Sequence, residues 1–165
     1  MKTFSKILLF SCISTITSTP YAGDSLSVRT IGVELARDIA FESIRACRKQ
    51  GFQVSAVVVD RNGLVQAALR DDLATRFTLQ IAEEKANSVI LSGINSGEFR
   101  KSRGDIRPEL NHMNGIIIMQ GALPIEIAGS KIGAIGVSGA PGGYLDERCA
   151  QQALDALVER IEFSE

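Results

Sequence analysis

The chain has 165 residues, 45% of them hydrophobic, and a formal net charge of −1. That length supports one domain with one hydrophobic core, and the near-neutral balance gives no electrostatic footprint for nucleic acid. With no Trp, two Tyr and a single His, the inventory for aromatic stacking or histidine chemistry is thin.

Residues 1–22 read as a secretory signal peptide. Lys2 and Lys6 precede a short apolar run over 7–16, and Pro20-Tyr21-Ala22 ends on a small residue before Gly23. The run is too short to cross a bilayer, so no stable membrane span is expected. A lipoprotein signal ending at Cys12 is the rival, but Phe10 is bulky for such a site. Cleavage after Ala22 leaves a single domain over 23–165, and because two lysines and no acid are lost, the formal charge becomes −3. The expected location is periplasmic or secreted. Cys12 leaves with the signal, which places Cys47 and Cys149 in an oxidising compartment.

The spacing of Ile31, Leu35, Ile39, Ala46 and Cys47 predicts a helix over 31–49, capped by Ser27 or Thr30 and stopped by Gly51. Residues 53–60 contain Val54, Ala56, Val57, Val58 and Val59, apolar enough for a central strand buried on both faces. Asp60-Arg61-Asn62-Gly63 is a hairpin turn, with a return strand over 64–70. A second helix is predicted over 75–92. Periodicity then disappears from 93 to 114, and long irregular connections inside a small domain are usually functional or mobile. Three further strands are expected at 115–119, 123–127 and 132–137, before a closing helix over 144–161. This order argues an α+β domain on a mainly antiparallel sheet. If the first and last helices share a face, Cys47 meets Cys149, as a disulfide or as two small buried thiols.

The last strand alternates β-branched residues with Gly133, Ala134 and Gly136. Glycine inside a strand adds chain entropy and contributes no packing, so it marks a place where a ligand, a helix or another backbone comes close. The strand leaves the sheet through Ser138 and Gly139, and a pocket is expected beside Gly133, Gly136, Ser138 and Gly139. Ser138 mimics a nucleophile elbow, but no histidine follows it in the chain, which the hydrolase order requires. No Gly-Lys-Ser/Thr follows the glycines, so a phosphate loop is excluded as well. One histidine and two separated cysteines do not make a structural zinc site. Asp71 with Asp72, Glu83 with Glu84, and Asp146 with Glu147 read as solvated faces and helix starts, because adjacent helical residues do not face each other.

Val57-Val58-Val59-Asp60-Arg61-Asn62-Gly63, Lys85-Ala86, Gly121-Ala122-Leu123-Pro124-Ile125 and the closing run from Gly133 to Ala140 with Asp146-Glu147 resemble the GlcG/HbpS family of haem-binding proteins. The resemblance implies a profilin-like α/β/α sandwich on a five-stranded antiparallel sheet, homo-oligomers that are often octamers, and haem as the cofactor of exported members. Relatives fused to corrinoid adenosyltransferases make a corrinoid the alternative ligand. Others, found beside glycolate-utilisation genes, make the alternative an enzyme or enzyme subunit acting on a small hydroxy acid. The chain departs from the family at Gln120-Gly121-Ala122, where a glycine pair or triplet is usual, and over 93–114.

Porphyrin binding needs an apolar slot, an axial donor and cations near the propionates. The aperiodic segment offers Phe99, Ile106, Leu110 and Met113 as walls, His112 as the metal donor, and Arg100, Lys101, Arg103 and Arg107 as propionate partners. Its bland alternative is a solvated loop. The function expected is that of an exported, oligomeric haem-sensing or haem-handling accessory protein rather than a catalyst, with no catalytic residue assigned.

Overall fold

The computed structural model describes residues 25–163. In chain order the elements are α1 (Val33–Arg48), β1 (Ser55–Asp60), β2 (Val65–Arg70), α2 (Phe77–Ser92), α3 (Ser96–Ser102), α4 (Arg107–Leu110), β3 (Ala122–Ile127), β4 (Ser130–Ser138), α5 (Gly143–Ala156) and α6 (Val158–Glu162). The signal-peptide reading falls outside the described residues. No helix among them is long and apolar enough to cross a membrane.

The sheet has four antiparallel strands in the order β2-β1-β4-β3. β1 is central and buried throughout, as its unbroken valines require. Alternate side chains of a strand face opposite ways. Ala56 and Val58 therefore join α1 and α5 in the larger core, while Val57 and Val59 meet Ala82, Ala86 and Val89 of α2 in the smaller one. The result is three layers, with α1 and α5 on one face of the sheet and α2 on the other.

The fifth strand expected at 115–119 does not form. Gly115 has a φ of 81°, and the following chain runs along α2, with Ile117 N donating to Glu84 O at 3.4 Å and Met119 N to Ile117 O at 3.0 Å. The isoleucines have strand propensity, but the backbone groups of Ile117 are used in these bonds and the segment joins no ladder. The segment 93–114 is also more ordered than its composition suggested, since it contains α3 and α4. Each is too short to display a hydrophobic period. α1 begins after Gly32 without a side-chain cap, so neither Ser27 nor Thr30 has the capping role assigned to it.

The hairpin turn is the three-residue kind. Asp60 N donates to Leu64 O and Gly63 N to Asp60 O, with Gly63 left-handed at φ 85°. The Asp60 carboxylate accepts from the N–H groups of Asn62 and Leu64 at 2.7 and 2.9 Å, which fixes the loop.

Two polar pairs tie the layers together. Arg48 of α1 reaches the buried Asp71 through Nε and Nη2 at 2.5–3.0 Å. The hydrogen bonds from Arg48 hold the Asp71 carboxyl below its ordinary value. Lys85 of α2 is 1% exposed, and its Nζ donates to Val137 O at 2.9 Å and to Asp146 Oδ2 at 2.8 Å. Asp146 Oδ1 accepts from Ala140 N at 2.9 Å. Burial pushes the Asp146 carboxyl above its ordinary value, against the opposing pull of Lys85 and of the N–H groups of Ala140 and Gly139. Asp146, expected at a solvated helix start, is instead the buried partner of Lys85.

Cys47 and Cys149 form a disulfide that joins α1 to α5, with Cα atoms 5.3 Å apart and 102 residues between them. Closing a loop of that length removes chain entropy from the unfolded state worth roughly 4–5 kcal/mol. Replacing both cysteines by serine should lower the denaturant midpoint by a comparable loss of stability. Equal midpoints for the two proteins, with and without reductant, would refute the assignment. The glycine strand gives a second expectation. A Cβ at Gly136 would lie 2.0 Å from Ala82 O, whereas one at Gly104 would meet nothing within 4 Å. Gly136→Ala should lose about 3 kcal/mol or more through backbone overlap, and Gly104→Ala should melt close to wild type in the same assay.

Candidate functional site

The irregular stretch after α4 is held in place by α2. Asn87 Nδ2 donates to Gly115 O at 3.1 Å, the Ile117 N–H is bound as described, and Ile118 is buried. On the other side, α3 is anchored where Ser96 Oγ accepts from Ala122 N at 2.9 Å and where Phe99 is buried. Gln120 lies against Gly97 and Gly143, close enough that a Cβ at either would overlap it. Its Nε2 donates to Glu147 Oε1 at 3.1 Å.

These anchors leave a cavity of about 670 Å³ between α2, the α3–α4 segment and the stretch that follows. It is lined by Glu84, Arg100, Arg107, Asn111, Met113 and residues 114–119. Volumes of this order accommodate a cofactor-sized molecule. The walls divide by chemistry: Ile116, Ile117 and Ile118 are apolar, Met113 and Met119 bring thioethers, and Arg100 and Arg107 bring cations. Neither guanidinium group has a hydrogen-bonding or ionic partner among the described residues. Glu84 supplies the one carboxylate of the lining, its Oε1 accepting from Gln80 Nε2 at 2.8 Å.

The expected haem residues do not all meet here. Arg100, Arg107 and Met113 do. Arg103 faces a separate cavity of about 420 Å³ with Phe99, Ile106 and Leu110, and its guanidinium binds Asp105 at 3.1 and 3.2 Å. Those hydrogen bonds hold the Asp105 carboxyl below its ordinary value. His112, the expected metal donor, is exposed and is not part of the lining of either cavity. Among the described residues no three His, Cys, Asp or Glu groups gather to hold a metal ion.

The space beside the glycine strand is occupied by the chain itself. Gly133 and Gly136 are three residues apart and face opposite sides of the sheet. A Cβ at Gly133 would meet Val59 O and Ile31, one at Gly136 would meet α2, and one at Gly139 would meet the backbone of Gln53 and Val54. Ser138 is buried. The close approach inferred from these glycines is therefore made by α2, β1 and the loop before it, which corrects the expectation of a pocket there.

Glu84, Met119 and the isoleucines were not singled out from the sequence as site residues. Glu84 resembled one of a solvated acidic pair, and 115–119 resembled a strand. The available clue was that Met113 and Met119, both long, adaptable and polarizable side chains, bracket a run of three isoleucines at the end of the aperiodic segment.

The family model described as haem degrading protein HbpS-like matches residues 31–155. Among solved structures, a crystal structure of HbpS is 31% identical, with a TM-score of 0.77 over 85% of this chain and 99% of the other. The Klebsiella pneumoniae protein ORFY, of family model DUF336, is 28% identical, with a TM-score of 0.75 over 82% and 96% of the two chains. A PduOC:heme complex shares the fold at 19% identity, with a TM-score of 0.68 over 77% and 94%. No curated protein sequence matches the chain. With the family model covering most of its length, and an HbpS crystal structure agreeing in sequence and fold, this chain belongs to the HbpS-like family.

Proposed function

We propose that this chain is an exported, homo-oligomeric haem-binding protein, and that haem lies in the cavity flanked by Arg100 and Arg107. The observation that carries the reading is that cavity. It combines two unpaired guanidinium groups with an isoleucine wall in about 670 Å³. Guanidinium groups form strong, charge-assisted hydrogen bonds with carboxylates, and the apolar wall suits a macrocycle. The residues present therefore fit the group, which when bound supplies a redox-active iron centre. Arg100 and Arg107 would hold the propionates, and residues 116–118 would exclude water from one face of the ring. The family's description as haem degrading and the haem-bound state of a relative with this fold support the choice of ligand. The hydroxy-acid alternative would use a pocket beside the stretch from Ser138 to Gly143, where a Cβ at Gly139 or Gly143 would overlap the chain's own backbone.

Export is supported by the charge, apolar run and small-residue plan of the first 22 residues and by the Cys47–Cys149 bridge, which belongs in an oxidising compartment. Assembly is supported by large apolar side chains left on the surface, among them Leu64, Leu73 and Phe77.

Haemin titration tests the site. Hydrogen bonds to charged groups are worth about 1.5–3 kcal/mol each, so Arg100→Ala/Arg107→Ala should weaken haemin binding by roughly 100-fold or more. Arg103→Ala, which removes a partner of Asp105 outside the cavity, should titrate like wild type. The reverse pattern would move the ligand to the smaller cavity, and no Soret shift in wild type would end the haem reading. For export, intact mass of the protein recovered from outside the cytoplasm should correspond to a chain starting at Gly23 and lacking two hydrogens for the bridge. A retained leader or free thiols would count against it.

A further inference from the structure

Resting on the haem reading, we infer that the iron's axial donor is a thioether sulfur of the Met113 and Met119 pair, and not the imidazole of His112. Haem sites commonly use histidine, and this chain has one, adjacent in sequence to Met113. The backbone decides between the neighbours. After α4, His112 N donates to Glu109 O and Met113 N to Leu110 O, so the winding continues with three-residue hydrogen bonds. In that geometry successive side chains diverge by about 120°. The two neighbours therefore point different ways, and Met113 lines the cavity whereas His112 is not part of its lining.

A second sulfur lies in the same lining. The chain has three methionines. Apart from Met1, they are Met113 and Met119, and both line this one cavity, at 47% and 42% exposure. Unbranched side chains of this kind are usually placed where they can pack, and accessible thioethers beside an apolar wall are soft donors suited to haem iron. The remaining donor in the lining with comparable reach is the Glu84 carboxylate, whose Oε1 accepts from Gln80. Arg100 and Arg107 come from the same α3–α4 segment as Met113, so one short stretch would supply both propionate partners and an iron ligand.

The consequence is electronic. Thioether ligation favours ferrous over ferric haem and raises the midpoint potential. Haemin should be titrated into wild type, His112→Ala and Met113→Leu/Met119→Leu, with absorption spectra and midpoint potentials recorded for each. Wild type and His112→Ala should share one spectrum, including the weak sulfur-to-iron charge-transfer band at the red end of the visible range. The double leucine protein should still bind haemin through its arginines but lose that band, and its potential should fall. Leucine conserves volume well enough to keep the fold. Selenomethionine labelling supplies a second readout in the unaltered fold, because selenium on the iron shifts the band. Haemin binding with a band that ignores both changes, or one abolished by His112→Ala, would overturn the assignment while leaving the haem reading intact. A wild type that takes up no haemin would remove both.

Discussion

The molecule depends on how closely α2 lies on β4. Gly136 has no side chain because Ala82 O occupies the place where its Cβ would be, 2.0 Å away. Ala82 and Ala86 keep the helix surface flat at the contact, and Val57 and Val59 of the neighbouring strand complete the layer. One residue along the helix from Ala86, Lys85 passes its ammonium group into the interior to Val137 O and Asp146. Gly121 leaves room for that group, since a Cβ there would sit 2.7 Å from Lys85 Nζ. The small residues Gly136, Ala82, Ala86 and Gly121 together with one ion pair thus set the helix's depth, rotation and position along the strand.

The pair contributes position more than stability. Burial raises the Asp146 carboxyl above its ordinary value. A raised acid adds stability below its unfolded value and gives it up as pH rises through the folded one, so at neutral pH its charge is a burden that Lys85 and the loop N–H groups offset. Asp71 has the opposite sign. Its lowered value, caused first by Arg48, adds stability above the ordinary carboxylate range and gives it up as pH falls through the folded value. Burying a pair is often no better than burying well-packed apolar groups, whereas removing one partner of a buried pair typically costs about 3–5 kcal/mol. Lys85 and Asp146 therefore penalise any packing of α2 that separates them, and a wrong register becomes unstable.

Sequence pattern revealed the parts whose causes are local. The valines from Val57 to Val59 can be buried on both faces only in a central strand, and Asp-Arg-Asn-Gly carries its own turn geometry. The cysteine bridge was legible as one of two outcomes because helical spacing put both residues on core faces. What escaped was decided at a distance. Lys85 and Asp146 are 61 residues apart, and nothing near either one indicates the other. Gly136 did signal a close approach, but not whether a ligand or the chain's own helix would make it. Residues 116–118 have the composition of a strand, and only the bonds of Ile117 to Glu84 and Met119 show that they run along α2 as a cavity wall. In the site, Arg100, Arg107 and Met113 were legible because composition marked their segment, whereas the division between Arg103 and the other two arginines follows from which way α3 and α4 turn.

The same fixed helix explains why the cavity is built from irregular chain. Regular strands pair their polar groups with each other and pack flat, which leaves no room for a cofactor between neighbours. Gly115 and Ile117 instead bond to the flank of α2, and residues 115–119 line the cavity together with Arg100 and Arg107 of the α3–α4 segment. That segment is attached at Ser96 and Phe99 near its start, while its arginines lie beyond those anchors. A rigid wall set by Gly136 and Lys85 therefore faces a short helical segment tethered at its base. The cavity's cations are thus carried by the tethered segment and its isoleucines by the chain held against α2, with Glu84 of α2 as the one acid in the lining.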